Sequence, residues 1–119
     1  MDSIVNSLDY IGKRVEMVVD RPLGSVHPKH ANIIYNINYG YIPNTQSGDG
    51  EELDAYLIGV DKPLDKFEGF CIAVLRRTQE NDDKLIIVPE GTTVTEQEIR
   101  KQVDFQEKFF ESNILWKSL

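Results

Sequence analysis

Apolar residues in this chain recur at two different periods, and the change falls near residue 95. Upstream they come in short runs. Residues 14–19 are rich in Val and Met and read as a strand. Residues 33–41 are rich in Ile and Tyr with Asn interspersed, and predict a strand with breaks. Residues 54–60 predict a strand. On it Leu53, Ala55 and Leu57 share one face, and Asp54, Tyr56 and Ile58 share the other. Residues 69–77 contain the unbroken run Phe70-Cys71-Ile72-Ala73-Val74-Leu75, suited to a strand buried on both faces. Residues 84–88 predict a further strand. Between these runs, residues 20–28 carry two prolines and a glycine and form an irregular connection. Residues 43–50 read as a loop and residues 79–83 as a polar turn.

Downstream the period becomes helical. Thr95-Glu96-Gln97-Glu98 fits a capping box, in which the Thr95 hydroxyl and the Glu98 carboxylate cover the first orphan amides. Ile99, Val103 and Phe110 then mark an apolar stripe, predicting a helix over 96–111 that packs on the sheet. Several short strands followed by one helix imply an α+β domain, mostly β, with a curled sheet or small barrel. Leu115-Trp116 either packs back on the domain or serves a neighbouring subunit.

Composition bounds this picture. A chain of 119 residues favours a single domain over 1–119. No run of about 18 apolar residues is present, so a spanning helix is not expected. Met1-Asp2-Ser3-Ile4 lacks the basic and apolar regions of a secretory leader. The lone cysteine, Cys71, reads as a small buried hydrophobe and fits a reducing, cytoplasmic setting. The net charge of −7 argues against a nucleic-acid backbone as partner. It also means that a phosphate ligand would need a positive intermediary, for which a divalent cation is suited.

Candidate chemistry concentrates in residues 38–54. Asp49, Glu51, Glu52 and Asp54 crowd four carboxylates into six positions. Such crowding is costly unless the groups are solvated or share a cation. Gly48 and Gly50 let the backbone turn sharply and project Asp49, while Asp54 begins a strand, so the two can converge on one ion. Mg²⁺ accepts such oxygen ligands. Asp-Gly is equally an ordinary turn signal, and loop acids are usually solvated. A second cluster, Glu80 to Lys84, places Asp82 and Lys84 on one side of an extended backbone, suited to a cation and a phosphate oxygen or to a plain hairpin tip. Arg14 and Glu16 share a strand face, with Arg21 following. His27 and His30 flank Pro28-Lys29, and are better suited to contacting phosphate or ordering a loop than to binding hard Mg²⁺. Tyr35, Tyr39 and Tyr41 share a strand face. No glycine-rich phosphate loop, Gly-x-Ser-x-Gly elbow or His-Glu-x-x-His is present in the sequence.

Together these clusters resemble the soluble, single-domain (family I) inorganic pyrophosphatases. The likeness rests on Asn38-Tyr39-Gly40-Tyr41-Ile42, Thr45, Asp49-Gly50-x-x-x-Asp54, and Asp82-Asp83-Lys84-Leu85-Ile86-Ile87-Val88-Pro89, in matching order and spacing. It implies a small, OB-like closed or curled barrel of five strands with C-terminal helical cover. It implies hydrolysis of pyrophosphate with several Mg²⁺ ions, for which Mn²⁺ can substitute. By the same resemblance Asp49, Asp54 and Asp82 are metal ligands and Glu51 positions or activates the water. Tyr39 and Lys84 contact phosphate, and Arg14, Glu16, His27 and Lys29 fall on the phosphate side. A cytoplasmic homo-oligomer is implied, with a small-molecule substrate and neither nucleic acid nor membrane as partner.

The sequence departs from the family pattern in several places. Glu51 stands where the family has Asp. Gln79 and Glu80 stand near a further metal-binding aspartate. The upstream phosphate-binding arginine has His27, Lys29 and Arg21 as possible substitutes, and Lys108-Phe109-Phe110 replaces a C-terminal Tyr-Lys pair. The chain is also short for the family. Three readings follow: a Mg²⁺-dependent pyrophosphatase, a hydrolase of another small phosphoanhydride, or a non-catalytic metal- or phosphate-binding member of the fold.

Overall fold

A computed structural model describes residues 6–45, 51–79 and 82–116. One turn of 3-10 helix, Ser7–Tyr10, leads into β1 (Arg14–Arg21). There follow β2 (Asn38–Ile42), β3 (Leu53–Leu57), β4 (Lys66–Arg77) and β5 (Asp83–Val88), then α1 (Glu96–Glu107) and β6 (Ser112–Leu115). The sheet order is β1-β2-β3-β5-β4-β6, and an added β1–β4 pairing closes the first five strands into a barrel. Every pairing is antiparallel except β3 with β5. The long β4 makes closure possible, because its first half pairs with β1 and its second half with β5 and β6. The domain is therefore α+β and mostly β, a closed five-stranded barrel with one extra strand and one helix.

Two apolar clusters use opposite faces of the same strands. Leu53, Ala55 and Leu57 fill the barrel interior with Val15, Met17 and Val19. Tyr56 and Ile58 face outward, where Ile99 and Val103 of α1 cover them. The face assignment read from period two on β3 holds. Burying Ile99 and Val103 supplies about 1.5–3 kcal/mol each, enough to dock a helix that the capping box has already started. On β4 a register shift falls between Cys71 and Ala73. These residues would share a face of a regular strand. With the extra residue, Cys71 enters the interior and Ala73 the outer cluster. Burial pushes the Cys71 thiol up to about 12, so it is an inert filler.

Gly40 is demanded by close approach. A Cβ there would lie 1.8 Å from the Val18 carbonyl oxygen on β1. The Tyr39-Gly40-Tyr41 triplet thus lets β2 press against β1 between two aromatic side chains.

Three expectations change. The helix ends at Glu107, not 111, and Phe110 leaves the stripe to lie half-exposed with the Arg77 guanidinium 3.7 Å from its ring centroid. The segment 112–115 is a strand, not a tail; four residues carry too little pattern to reveal it, and pairing with β4 decides it. Residues 33–37 alternate in burial as a strand would, but only Ile34 forms a bridge, to Val26. Among the described residues, no helix is long and apolar enough to cross a membrane.

Candidate active site

Three adjacent strands bring the central residues together. Tyr41 on β2 opposes Asp54 on β3, and Asp54 is the lateral partner of Lys84 on β5. Asp54 and Lys84 therefore project on one face. Asp82, two residues before Lys84, projects beside it. The Lys84 side chain is 2% exposed. It donates to the Tyr39 hydroxyl at 2.8 Å, to Asp54 Oδ2 at 2.8 Å and to Asp82 Oδ2 at 3.4 Å. Burial, followed by the charge of Asp54, holds the Tyr39 hydroxyl well above its usual pKa, so it stays protonated.

Thr45 sets the base of the acidic turn. Its hydroxyl donates to the Ile42 carbonyl at 2.6 Å and accepts from the Leu53 amide at 3.0 Å. The last residue of β2 and the first of β3 are clasped, whatever lies between them. Asn38 organises the other end of β2, accepting from the Leu23 and Leu64 amides and donating to the Lys62 carbonyl.

A second set of polar residues comes from β4 and the last turn of α1. Arg77 donates to Glu107 through Nε at 3.0 Å and Nη2 at 2.8 Å, and through Nη1 to Asp82 Oδ2 at 3.1 Å. Burial alone would lower the Arg77 pKa. The hydrogen bonds and charge of Glu107, with the charge of Asp82, outweigh burial and raise it. Burial likewise would raise Glu107, but Arg77 holds its carboxyl below the usual value. From Glu107 the network continues outward. The Tyr56 hydroxyl donates to Glu107 and accepts from Gln106, Tyr35 donates to Gln106, and Arg21 donates to Tyr35. Buried polar groups satisfied in this way rigidify the wall they form.

This wall bounds a cleft of about 450 Å³ lined by Arg21, His27, His30, Tyr39, Arg77, Lys84 and Gln106, with Phe109 and Phe110 at its apolar side. The His27 and His30 ring centroids are 4.9 Å apart. Burial and the charge of Arg21 lower the His27 pKa, so the ring is neutral at pH 7.

Of the residues expected in the site, Tyr39, Asp54, Asp82 and Lys84 are brought into contact, and His27 lines the same cleft. Glu51 is exposed where the acidic turn meets β3. Asp49 lies outside the described residues. Arg14 pairs with Glu68 and Glu90, and Glu16 lies among Met17, Lys66 and Phe67. Lys29 donates its backbone N–H to His27. None of these last three side chains appears among the described residues lining the cleft. Sequence reasoning missed Arg77, Gln106 and Glu107. A signal existed for each. Alternation along β4 sets Arg77 with Ala73 and Leu75 on the face that α1 covers, while Arg76 pairs with Asp83, and the step after Ile99 and Val103 falls on residues 106 and 107. Asp20 was also missed. Burial raises its pKa, the charge of Arg21 opposes that, and the charge of Asp54 adds a smaller rise.

The residues fit a hard cation at one end only. The Asp54 side chain is 30% exposed, sits near the start of a strand, and feels the charge of Asp20. Asp82 is less suited, because its side chain is only 12% exposed and its Oδ2 faces both Arg77 and Lys84, whereas Asp54 Oδ2, among the described residues, forms an ion pair with Lys84 alone. Among the described residues no three His, Cys, Asp or Glu converge on one point.

Comparison with known proteins adds independent findings. The family model described as inorganic pyrophosphatase matches residues 11–116. An inorganic pyrophosphatase of Xylella fastidiosa (strain 9a5c) is 39% identical over 62 residues, covering 46% of this chain and 33% of that protein. The match thus spans about a third of the curated relative's length. The crystal structure of inorganic pyrophosphatase from Ehrlichia chaffeensis superposes with a TM-score of 0.67 at 16% identity, over 99% of this chain and 91% of that one. That from Neisseria gonorrhoeae gives 0.59 at 26% identity, over 82% and 73%.

Proposed function

The chain belongs to the inorganic pyrophosphatase family, and on that premise we propose that it hydrolyses inorganic pyrophosphate to two phosphates with the aid of Mg²⁺. The observation that carries this reading is the buried Lys84 ammonium, fixed on the cleft wall by Tyr39, Asp54 and Asp82. A cation fixed in a buried site does not have to reorganise when charge develops on a phosphate, and so stabilises the transition state more than a solvated one would. Tyr39, protonated at all working pH values, supplies a hydroxyl beside it. Arg21, held by Tyr35, presents a second positive group from the opposite strand. Neutral His27, which lines the same cleft, is proposed on the phosphate side, and Lys29 is proposed there from the family resemblance alone.

Asp54 and Asp49 are the proposed ligands of the divalent cation, with Mn²⁺ able to replace Mg²⁺. When bound, such an ion neutralises phosphate charge and lowers the pKa of its water. Glu51 is the proposed base or water-orienting group. Water adds to one phosphorus, the bridging P–O bond breaks, and the leaving phosphate takes up the proton. Cytoplasmic residence and self-association are proposed with this function. The first is supported by the inert, buried Cys71, and the second by Trp116, which is 43% exposed.

Phosphate release from pyrophosphate in Mg²⁺ tests the reading. The wild type is expected to release phosphate, and Asp54→Ala and Asp49→Ala to lower the rate about 100-fold or more. Release no greater than that of the double variant would sink it. The size of the cleft and the aromatic Phe109 and Phe110 beside its cations favour a second reading, a larger phosphoanhydride carrying an aromatic base. Nucleoside di- and triphosphates assayed in parallel decide between the two.

A further inference from the structure

Asp82 and Glu107 are both buried, and one guanidinium bridges them. Arg77 engages Glu107 through two nitrogens and Asp82 through a third, while Lys84 reaches the same Asp82 oxygen from the other side. A divalent ion at Asp82 would face two positive charges already in contact with its Oδ2. Nor is the guanidinium easily moved. Glu107 belongs to a helix anchored by Ile99 and Val103, and the Phe110 ring lies against the arginine. Arginine also cannot shed its proton to make way. Of the two residues nearest the family's further aspartate, Gln79 is a neutral amide that shares a surface cavity with Arg77, and Glu80 lies outside the described residues.

We infer that Arg77 is a resident cation that takes the place of a divalent ion at Asp82, so the site takes exchangeable metal only on its Asp54 side. The inference rests on the cleft being the phosphate site proposed above and names how its charge is divided. Part of the positive charge facing a phosphate is then built into the chain, as Arg21, Arg77 and Lys84, and part is borrowed from solution. Arg77 acts on Asp82 as a positioning residue, and its side chain is among those lining the cleft.

The test is the number of Mn²⁺ ions bound by the full chain without substrate, read by electron paramagnetic resonance. Asp82→Asn, which keeps an oxygen for Arg77, should leave the wild-type count unchanged, whereas Asp54→Asn should lower it. Arg77→Met should bind one ion more than wild type, and Arg77→Met/Asp82→Asn should lose that ion again. If Arg77→Met does not fold, Arg77→Met/Glu107→Gln removes the second buried charge and carries the same expectation. Loss of one Mn²⁺ on Asp82→Asn, or no gain on removing Arg77, would overturn the inference. Because the readout is a difference in bound metal, it stands apart from whether pyrophosphate is the substrate. A wild-type count of zero would fault the Asp54 metal reading, and the gain on removing Arg77 would still decide this one.

Discussion

Lys84 and Arg77 lie on adjacent strands and share one oxygen of Asp82, yet they are held in opposite ways. Lys84 is met by a phenol and by Asp54, a carboxylate 30% exposed at the edge of an acidic turn. Arg77 is met by Glu107, whose side chain is 4% exposed and further tied to Tyr56. One end can exchange partners with solvent and the other cannot. An open pair suits binding and release of a charged ligand. A closed pair contributes chiefly when broken, because the partner left behind is then a buried, uncompensated charge.

The sharpest way to break this contrast is Arg77→Met. It should cost about 3–5 kcal/mol of unfolding free energy, seen as a lower urea midpoint. A small change would mean that Glu107 is not closed off. Lys84→Met is next. It should reduce pyrophosphate turnover about 100-fold while shifting the urea midpoint less than Arg77→Met does; the reverse ordering would make Lys84 the structural cation. Tyr39→Phe removes one hydroxyl and should cost about 1 kcal/mol in kcat/KM.

The closed end also predicts a pH dependence. The Glu107 pKa is lower in the folded chain than its ordinary value of 4.5. Its contribution is therefore fully present above that value and is lost as pH falls through the folded one. Asp83, held low against burial by Arg76 and Ser7, adds in the same direction, and Asp20, raised, opposes it. Urea midpoints between neutral pH and about pH 3 should fall, and should fall less in Glu107→Gln. The smallest effect is expected for Arg14→Ala, which loosens two exposed ion pairs on the far part of β1 and should leave midpoint and turnover unchanged.

The open end was the legible one. Asp82 and Lys84 share a strand face by spacing alone, Asp54 shares a face with Tyr56, and the capping box announces α1. Each is a local signal. The closed end needs contacts between distant residues, such as Arg77 with Glu107, 30 positions apart. The polar last turn of α1 breaks the apolar stripe, and without the fold those residues look like the helix surface. β6 was missed for a related reason, since four residues become a strand only when β4 extends past β1 to receive them. A curled sheet or small barrel followed from the number and brevity of the strands and the five-stranded barrel from the family resemblance, but the parallel pairing of β3 with β5, which sets Asp54 beside Lys84, has no mark in the local pattern.

The measurement that bears most directly on the contrast is the Mg²⁺ dependence of pyrophosphate hydrolysis in Asp54→Asn and Asp82→Asn. The half-saturating Mg²⁺ concentration should rise about tenfold or more in Asp54→Asn and stay at the wild-type value in Asp82→Asn. An equal rise in both would contradict the division of the site into an exchangeable and a built-in cation.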